Sequence, residues 1–394
     1  MFNFVCDRIV LDKAYPALTP HSAEPYTQGW REFIQYRPYT VPCELIEHCR
    51  EFGVDYHLLT TDDALPEHSW YIIGIGWFDF ETDYFGLMSD PVHALLRSGA
   101  MRVLFYYHEG DNPYHIRNRL DSLCDAYRLP LDSYRFVSGN TAADAIPGFV
   151  YFADHELLYW RRNSTVPATP FRSGPRPYDF TALSRTHKQW RATAMTDLWR
   201  RGLLTGSQWS YNTEVAVDEA EFANPLEQDS LVIRADQQRF LAGAPYSCDT
   251  LDSGAHNDHG LTNTEHYTDS YCNLVLETHF DADRSGGTFL TEKTFKPIKH
   301  GQPFVVLGPP GSLAQLRRMG YRTFDHVIDN AYDLERNNTM RWFMVADAIR
   351  QLKNRNLAEW IDLCRADVLH NQQLFVSSKA DRLNRLLTQL NRPL

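Results

Sequence analysis

A chain of 394 residues exceeds what one hydrophobic core usually organises and points to two domains. Hydrophobic residues at 43% and aromatics at 13% suffice for packed cores and exclude a disordered chain. The net charge of −11 argues against a broad nucleic-acid footprint, and seven scattered cysteines without a C-x-x-C form neither a metal nor a disulfide framework. Their odd number fits a reducing compartment. Residues 1–10 lack the basic and apolar regions of a signal peptide, and no apolar run approaches the ~18 residues of a membrane span. The expected location is the cytoplasm, that of a host if the chain is viral.

In chain order, a strand is expected near residues 2–10, followed by loop to residue 40. Leu45, Ile46 and Cys49 give residues 41–52 the spacing of an amphipathic helix, and 54–59 reads as the next strand. Residues 70–77 (WYIIGIGW) read as a buried strand; Gly74 and Gly76 lack the third glycine of a dinucleotide fingerprint. Residues 101–107 (MRVLFYY) are the clearest strand of the first half. A helix over 116–127, with Ile116, Leu120, Leu123 and Tyr127 on one face, and a strand at 134–137 complete a parallel unit. A short strand at 149–152 leads to the aromatic segment 157–160.

Residues 163–177 (NSTVPATPFRSGPRP) carry four prolines and read as a linker, which puts an acceptor-side α/β domain at 1–170 and a second α/β domain at 178–394. The second opens with a strand at 178–183, a polar turn, a helix over 188–204 and a candidate strand at 208–211. Residues 213–268 lack periodicity apart from a short strand at 231–233 and read as an insertion or long loop. The apolar run 272–276 is a buried strand, Thr291-Glu292-Lys293 heads a short helical pattern, and 303–307 is a further strand ending on Gly308-Pro309-Pro310-Gly311. Ser312 is a candidate cap for a helix over 313–319. Helices over 340–352, 357–366 and 379–390 follow. Strand alternating with helix predicts a parallel sheet, with ligands at the carboxyl ends of its strands.

The series Leu276-Glu277-Thr278, then Thr291-Glu292-Lys293, then a strand ending in glycine resembles the donor-site motif of α1,3-fucosyltransferase-type glycosyltransferases. That motif runs E-N-S, a spacer, T-E-K, a helix, V-P-V or I-P-I and a glycine. Here Glu277-Thr278-His279 stands for E-N-S, and Gln302-Pro303-Phe304 lies at the V-P-V. The longer pattern, with GPPGSL, LRRMGYRTF and IDNAYD, is similar to glycosyltransferase-like proteins common in phages and marine microbes. The resemblance covers residues 178–350, and the first half in outline. It implies a GT-B-like architecture, two Rossmann-like domains facing a cleft. It also implies a nucleoside-diphosphate sugar as donor, GDP being the family's habit, with inversion at the transferred carbon and no required metal.

The resemblance carries roles onto particular residues. Glu292 would accept hydrogen bonds from a ribose diol and Lys293 would neutralise phosphate, aided by the free N–H groups of a helix start. The plain alternative is a Thr N-cap with an ordinary first-turn Glu. Arg191, opening the helix after the 178–183 strand, would bind the diphosphate as a bidentate donor, and Arg185 at the strand end could reach it too. Glu277 either holds the sugar, orients Lys293 or caps a loop. Gly308 begins a turn that either brings backbone to a ligand or simply joins strand to helix; no P-loop follows it. Asp281-Ala282-Asp283 matches D-x-D in form but reads as a solvated acidic loop, and His256, Asp258 and His259 lack the spacing of facing ligands. An acceptor base is expected in the first domain: Glu109, beside His108 and Asp111, with Asp79 and Glu81 as alternatives.

The reading is a glycosyltransferase with a glycan or other hydroxyl as acceptor. One rival is a phage-type enzyme acting on a hydroxymethylated DNA base, which the net charge disfavours. Another is a non-catalytic sugar- or partner-binding protein on the same fold.

Overall fold

The computed structural model describes residues 2–6, 44–76, 78–86, 88–216, 226, 232–248 and 263–392. These form two compact units, Met1–Arg161 with Ser378–Leu394, and Arg162–Ser377. Each is an α/β unit built on a parallel sheet.

In the first unit the strands are β1 (Phe2–Cys6), β2 (Tyr56–Thr60), β3 (Ser69–Ile75), β4 (Met101–Tyr107), β5 (Tyr134–Ser138) and β6 (Phe149–Tyr151). Their order is β2-β1-β3-β4-β5-β6, and every neighbouring pair is parallel. Helices α1 (Glu44–Glu51), α2 (Asp90–Ser98), α3 (Pro113–Tyr127) and α4 (Asp154–Arg162) lie along the same stretch of chain. The continuous apolar runs of β3 and β4 are those of strands covered on both faces. Val103, Phe105 and Tyr107 enter one core with Ile73 and Phe136, while Leu104 and Tyr106 enter the other with Phe4 and Trp70. The sequence reading passes over α2, although Pro91 in its first turn and Gly99 beyond its end, at φ 74°, bracket it. Helix α3 starts earlier than its apolar pattern, at Pro113, because the Asn112 side chain accepts the Tyr114 N–H at 3.1 Å.

In the second unit β7 (Tyr178–His187), β8 (Gln208–Ala216), β9 (Ser270–Leu276) and β10 (Phe304–Leu307) lie in the order β10-β9-β7-β8, all parallel. The helices are α5 (Gln189–Arg200), α6 (Arg234–Ala242), α7 (Glu265–Thr268), α8 (Ala282–Ser285), α9 (Glu292–Lys299), α10 (Ser312–Arg318), α11 (Asn338–Lys353), α12 (Leu357–Leu363) and α13 (Arg365–Ser377). From β7 the chain builds outward to β8, then returns to the other side of β7 to add β9 and β10. The carboxyl ends of β7 and β9 therefore flank a topological switch point, the place where open α/β sheets take ligands.

Three expectations need correction. The short strand at 231–233 is not formed at Val232 and Ile233, since Ile233 is the N-cap of α6; Leu231 lies outside the described residues. Ser312 does not cap α10. Its hydroxyl turns back to the Pro309 carbonyl at 2.6 Å, and Asp333 instead accepts the Leu313 and Ala314 N–H groups at 2.8 and 2.9 Å. The helix α14 (Lys379–Leu390) was expected in the second domain and packs in the first unit. There Leu383, Leu386, Leu387 and Leu390 join Phe2, Phe4, Leu45 and Trp70, burying the apolar stripe that its leucine spacing creates. Buried Glu156 receives Lys379 at 3.1 Å and Arg382 at 2.9 Å. Among the described residues no helix is long and apolar enough to cross a membrane.

Candidate functional site

Strand β9 is buried along its whole length and delivers Glu277, also fully buried, to the sheet's carboxyl edge. Its carboxylate accepts four hydrogen bonds: from the Thr278 N–H at 3.0 Å, the Thr291 N–H at 3.1 Å, the Thr291 hydroxyl at 2.7 Å and the Thr294 hydroxyl at 2.6 Å. Four acceptances use its lone-pair capacity. Glu277 thus fixes the start of α9, where the Thr291 hydroxyl also accepts the Lys293 N–H. Gly308, directly after β10, makes room for it: a Cβ there would lie 3.0 Å from Ser312 Oγ and 3.3 Å from Glu277 Cβ. The turn that follows offers no open helix start, because Asp333 occupies the N-terminus of α10.

Helix α5 brings Arg191 to the same edge. The guanidinium is buried and donates to the main-chain carbonyls of Thr186 at 3.3 Å, Leu276 at 3.0 Å and Glu277 at 2.5 Å. Its Nε–H has no hydrogen-bond partner among the described residues. Burial pushes its pKa down to about 10, against the opposing pull of Glu277, Tyr211 and Glu292, so it stays charged at neutral pH. The same guanidinium lies 5.2 Å from the Trp190 ring, Trp190 stacks on Phe280 at 5.1 Å, and Arg341 lies 4.3 Å from Phe280. Arg341 in turn donates to the carbonyls of Gly308 and Phe280, tying the ends of β9 and β10 together.

Thr278, standing where the resembled motif has asparagine, collects two lysines. Its carbonyl accepts Lys188 Nζ at 2.7 Å and its hydroxyl accepts Lys293 Nζ at 3.2 Å. Lys293 also pairs with Glu292 at 2.8 Å, and its side chain keeps 31% of its exposure. Beside them burial pushes the His279 imidazole down to about 3, and Lys188, Arg284, Arg191 and Lys293 all add to that fall. The charges of four cations thus all act on one histidine next to Thr278. Arg185 sits on β7 where its register against β8 slips, between Ser184 and Thr186, and is exposed. Asp281 caps α8, accepting the Asp283 N–H at 3.0 Å and Asn338 Nδ2 at 3.3 Å. His256, Asp258 and His259 lie outside the described residues. Among the described residues no set of three His, Cys, Asp or Glu side chains is grouped to hold a metal ion.

In the first unit Glu109 follows β4, as expected, with a partly exposed carboxylate. Its Oε1 lies 3.6 Å from His108 Nε2 and 3.9 Å from the Nε2 of buried His155, the second residue of α4. Below them Asp154 is buried, paired with His48 at 2.8 Å and accepting the Tyr106 hydroxyl. Burial opposes its charge, but His48, His108 and the Tyr106 hydroxyl overcome that and hold it below the usual carboxylate range. Asp79, the alternative, is occupied in its own turn by the Thr82 hydroxyl at 2.6 Å and the Glu81 N–H at 3.0 Å. Sequence reasoning missed Lys188, His279 and Arg284 in the second unit and His155 in the first. Lys188 alone left a signal, as a cation at the predicted start of the helix over 188–204.

No protein-family model and no curated protein matches the chain. Solved structures similar to it include trehalose-6-phosphate synthase OtsA, at TM-score 0.41 and 11% identity over 98% of this chain and 85% of that one. An α1,3-fucosyltransferase is similar at TM-score 0.37 and 9% identity, over 95% and 91%. An α,α-trehalose-phosphate synthase (UDP-forming) from Burkholderia vietnamiensis is similar at TM-score 0.38 and 10% identity, over 97% and 84%.

Proposed function

We propose that the second unit binds the diphosphate of a nucleoside-diphosphate sugar and that the protein is a glycosyltransferase. The observation that carries this reading is the convergence of Lys188, Arg191 and Lys293 on Glu277 and Thr278 at the end of β9, in a chain whose net charge is −11. Cations held together at a switch point attract a doubly charged anion, and they stabilise the charge that grows on it as a leaving group. Glu292, beside Lys293 at the start of α9, is assigned the ribose hydroxyls. Glu277 and Gly308 are assigned to positioning, and Arg185 to the exposed edge of the site.

In the proposed reaction an acceptor hydroxyl oxygen attacks the anomeric carbon and forms the new glycosidic bond. The bond from that carbon to the diphosphate oxygen breaks, its electron pair leaves with the nucleoside diphosphate, and the configuration inverts. Glu109 takes the acceptor's proton. GDP is the favoured nucleotide by resemblance, and a glycan or other hydroxyl compound is the acceptor.

A melting panel with GDP, UDP and ADP tests the donor site, with Lys293→Ala and Arg284→Ala as controls. A ligand at a hundred times its dissociation constant stabilises by about 2.7 kcal/mol, a readily measured rise in melting temperature. A rise with one nucleotide that both variants abolish is expected. A flat panel overturns the donor site and leaves a protein that binds something else on the same fold.

A further inference from the structure

The first unit carries a second concentration of titratable groups, at the carboxyl end of β4. Glu109 Oε1 is approached by two imidazole nitrogens at once, His108 Nε2 at 3.6 Å and His155 Nε2 at 3.9 Å, and the two rings lie 5.9 Å apart. The imidazoles arrive from different elements. His108 directly follows β4, and His155 sits in the first turn of α4, where Asp154 is tied to His48 of α1 and to Tyr106 of β4. Glu109 is held in its turn by its main chain, whose carbonyl accepts the Gly139 N–H at 3.1 Å.

We propose that Glu109, His108 and His155 form one proton-sharing site, in which the imidazoles hold the carboxylate in place and receive the proton it takes up. What that proton is rests on the reading above, in which Glu109 is the base. The O–H bond of the acceptor breaks, the proton bonds to a Glu109 oxygen, and it then passes to an imidazole nitrogen, which becomes imidazolium while the carboxylate is restored. Distances of 3.6 and 3.9 Å are one small side-chain adjustment, or one bridging water, from a hydrogen bond. A carboxylate facing two imidazole nitrogens is placed to exchange a proton with either.

Three carboxylates close by in the chain, Asp111, Asp154 and Glu156, are already paired. Asp154 holds His48 and the Tyr106 hydroxyl, and Asp111 accepts the Tyr107 hydroxyl. Glu156 holds Lys379 and Arg382 from α14. His108 and His155 are positioning residues in this scheme, and Glu109 is the group that meets substrate.

The test is a histidine NMR titration of the full chain, ligand-free, with assignments from His108→Gln and His155→Gln. In Glu109→Gln, which keeps the side chain's shape, at least one of the two midpoints should fall by about one pH unit. An Asp154→Asn control separates the effect of the deeper carboxylate. Unchanged midpoints in folded Glu109→Gln overturn the site whatever the protein transfers. The second arm follows release of nucleoside diphosphate against pH, with the donor whose nucleotide raises the melting temperature. His155→Gln should displace one limb of that profile. Coupled midpoints with full release in Glu109→Gln overturn the assignment of Glu109 as base, and with it the proton transfer proposed here.

Discussion

The Glu277 carboxylate takes both the main-chain N–H and the hydroxyl of Thr291, at 3.1 and 2.7 Å, and so fixes the first turn of the helix that carries Glu292 and Lys293. A carboxylate at that end of a helix also lies favourably in its dipole. Glu277→Gln keeps the shape but turns an amide N–H₂ toward hydrogen-bond donors. The loss expected is roughly 2–4 kcal/mol of stability, read from the urea midpoint.

Two cations of the same site should separate cleanly. Lys293→Ala removes a partly exposed group and should change stability by no more than about 0.5 kcal/mol, while abolishing nucleotide-induced stabilisation. Arg191→Lys keeps the charge but loses the fork that reaches three carbonyls. It should cost roughly 2 kcal/mol even without ligand. Urea unfolding of each variant with and without nucleotide reads both effects, and equal losses for the two would contradict this division of roles.

Gly308→Ala should cost roughly 1–3 kcal/mol by overpacking, since the added methyl meets Ser312 Oγ and Glu277. Ser312→Ala removes the nearer of those atoms. The double variant should therefore be more stable than the sum of the single losses predicts, a coupling that a double-mutant cycle measures.

These residues also mark how much could be read from the chain. β4 and α14 were legible to the residue, one as an unbroken apolar run and the other as a leucine stripe of helical period. The start of α9 was legible because Thr291 is a cap followed by a charged first turn. The dense hydrogen bonding of Glu277 was not, since its donors come from residues 278, 291 and 294, and only the folded strand end brings them together. Nor was the meeting of Lys188 and Lys293 at Thr278. Each is an ordinary surface-type residue in sequence, and their proximity depends on which strands end side by side. Helix α6 lay in a stretch without apolar period, and burial of Phe240 among Tyr211, Tyr246 and Trp209, with Gln237 bonded to Thr193 of α5, organises it.

His300 gives the second unit a pH dependence of definite sign. Burial, with Lys299 and Lys296 nearby, pushes its imidazole down to about 3. The unfolded chain takes up that proton near the ordinary pKa of ~6.5, so the stability at stake is whole above that pH and is lost as pH falls, at about 1.4 kcal/mol per unit. Urea midpoints at neutral and mildly acidic pH should show a smaller loss in His300→Gln than in the parent. Equal losses would remove His300 as the cause.

Removing residues 378–394 should unfold the first unit while the second keeps its own transition. The cut takes four leucines from a core and leaves Glu156 buried without Lys379 and Arg382. Leu383→Ala alone should cost roughly 2–5 kcal/mol. Calorimetry of the shortened chain, with hydrogen exchange to say which unit melts, checks this.

The placement of α14 also sets an order of events at the ribosome. The strands of the first unit emerge early, yet the stripe that covers Phe2, Phe4 and Trp70 is synthesised only after the whole of Arg162–Ser377. The second unit can reach its native state while the first still waits with an open apolar face. The half that is made first is thus the half completed last, and until then it is the half that a chaperone would be expected to hold.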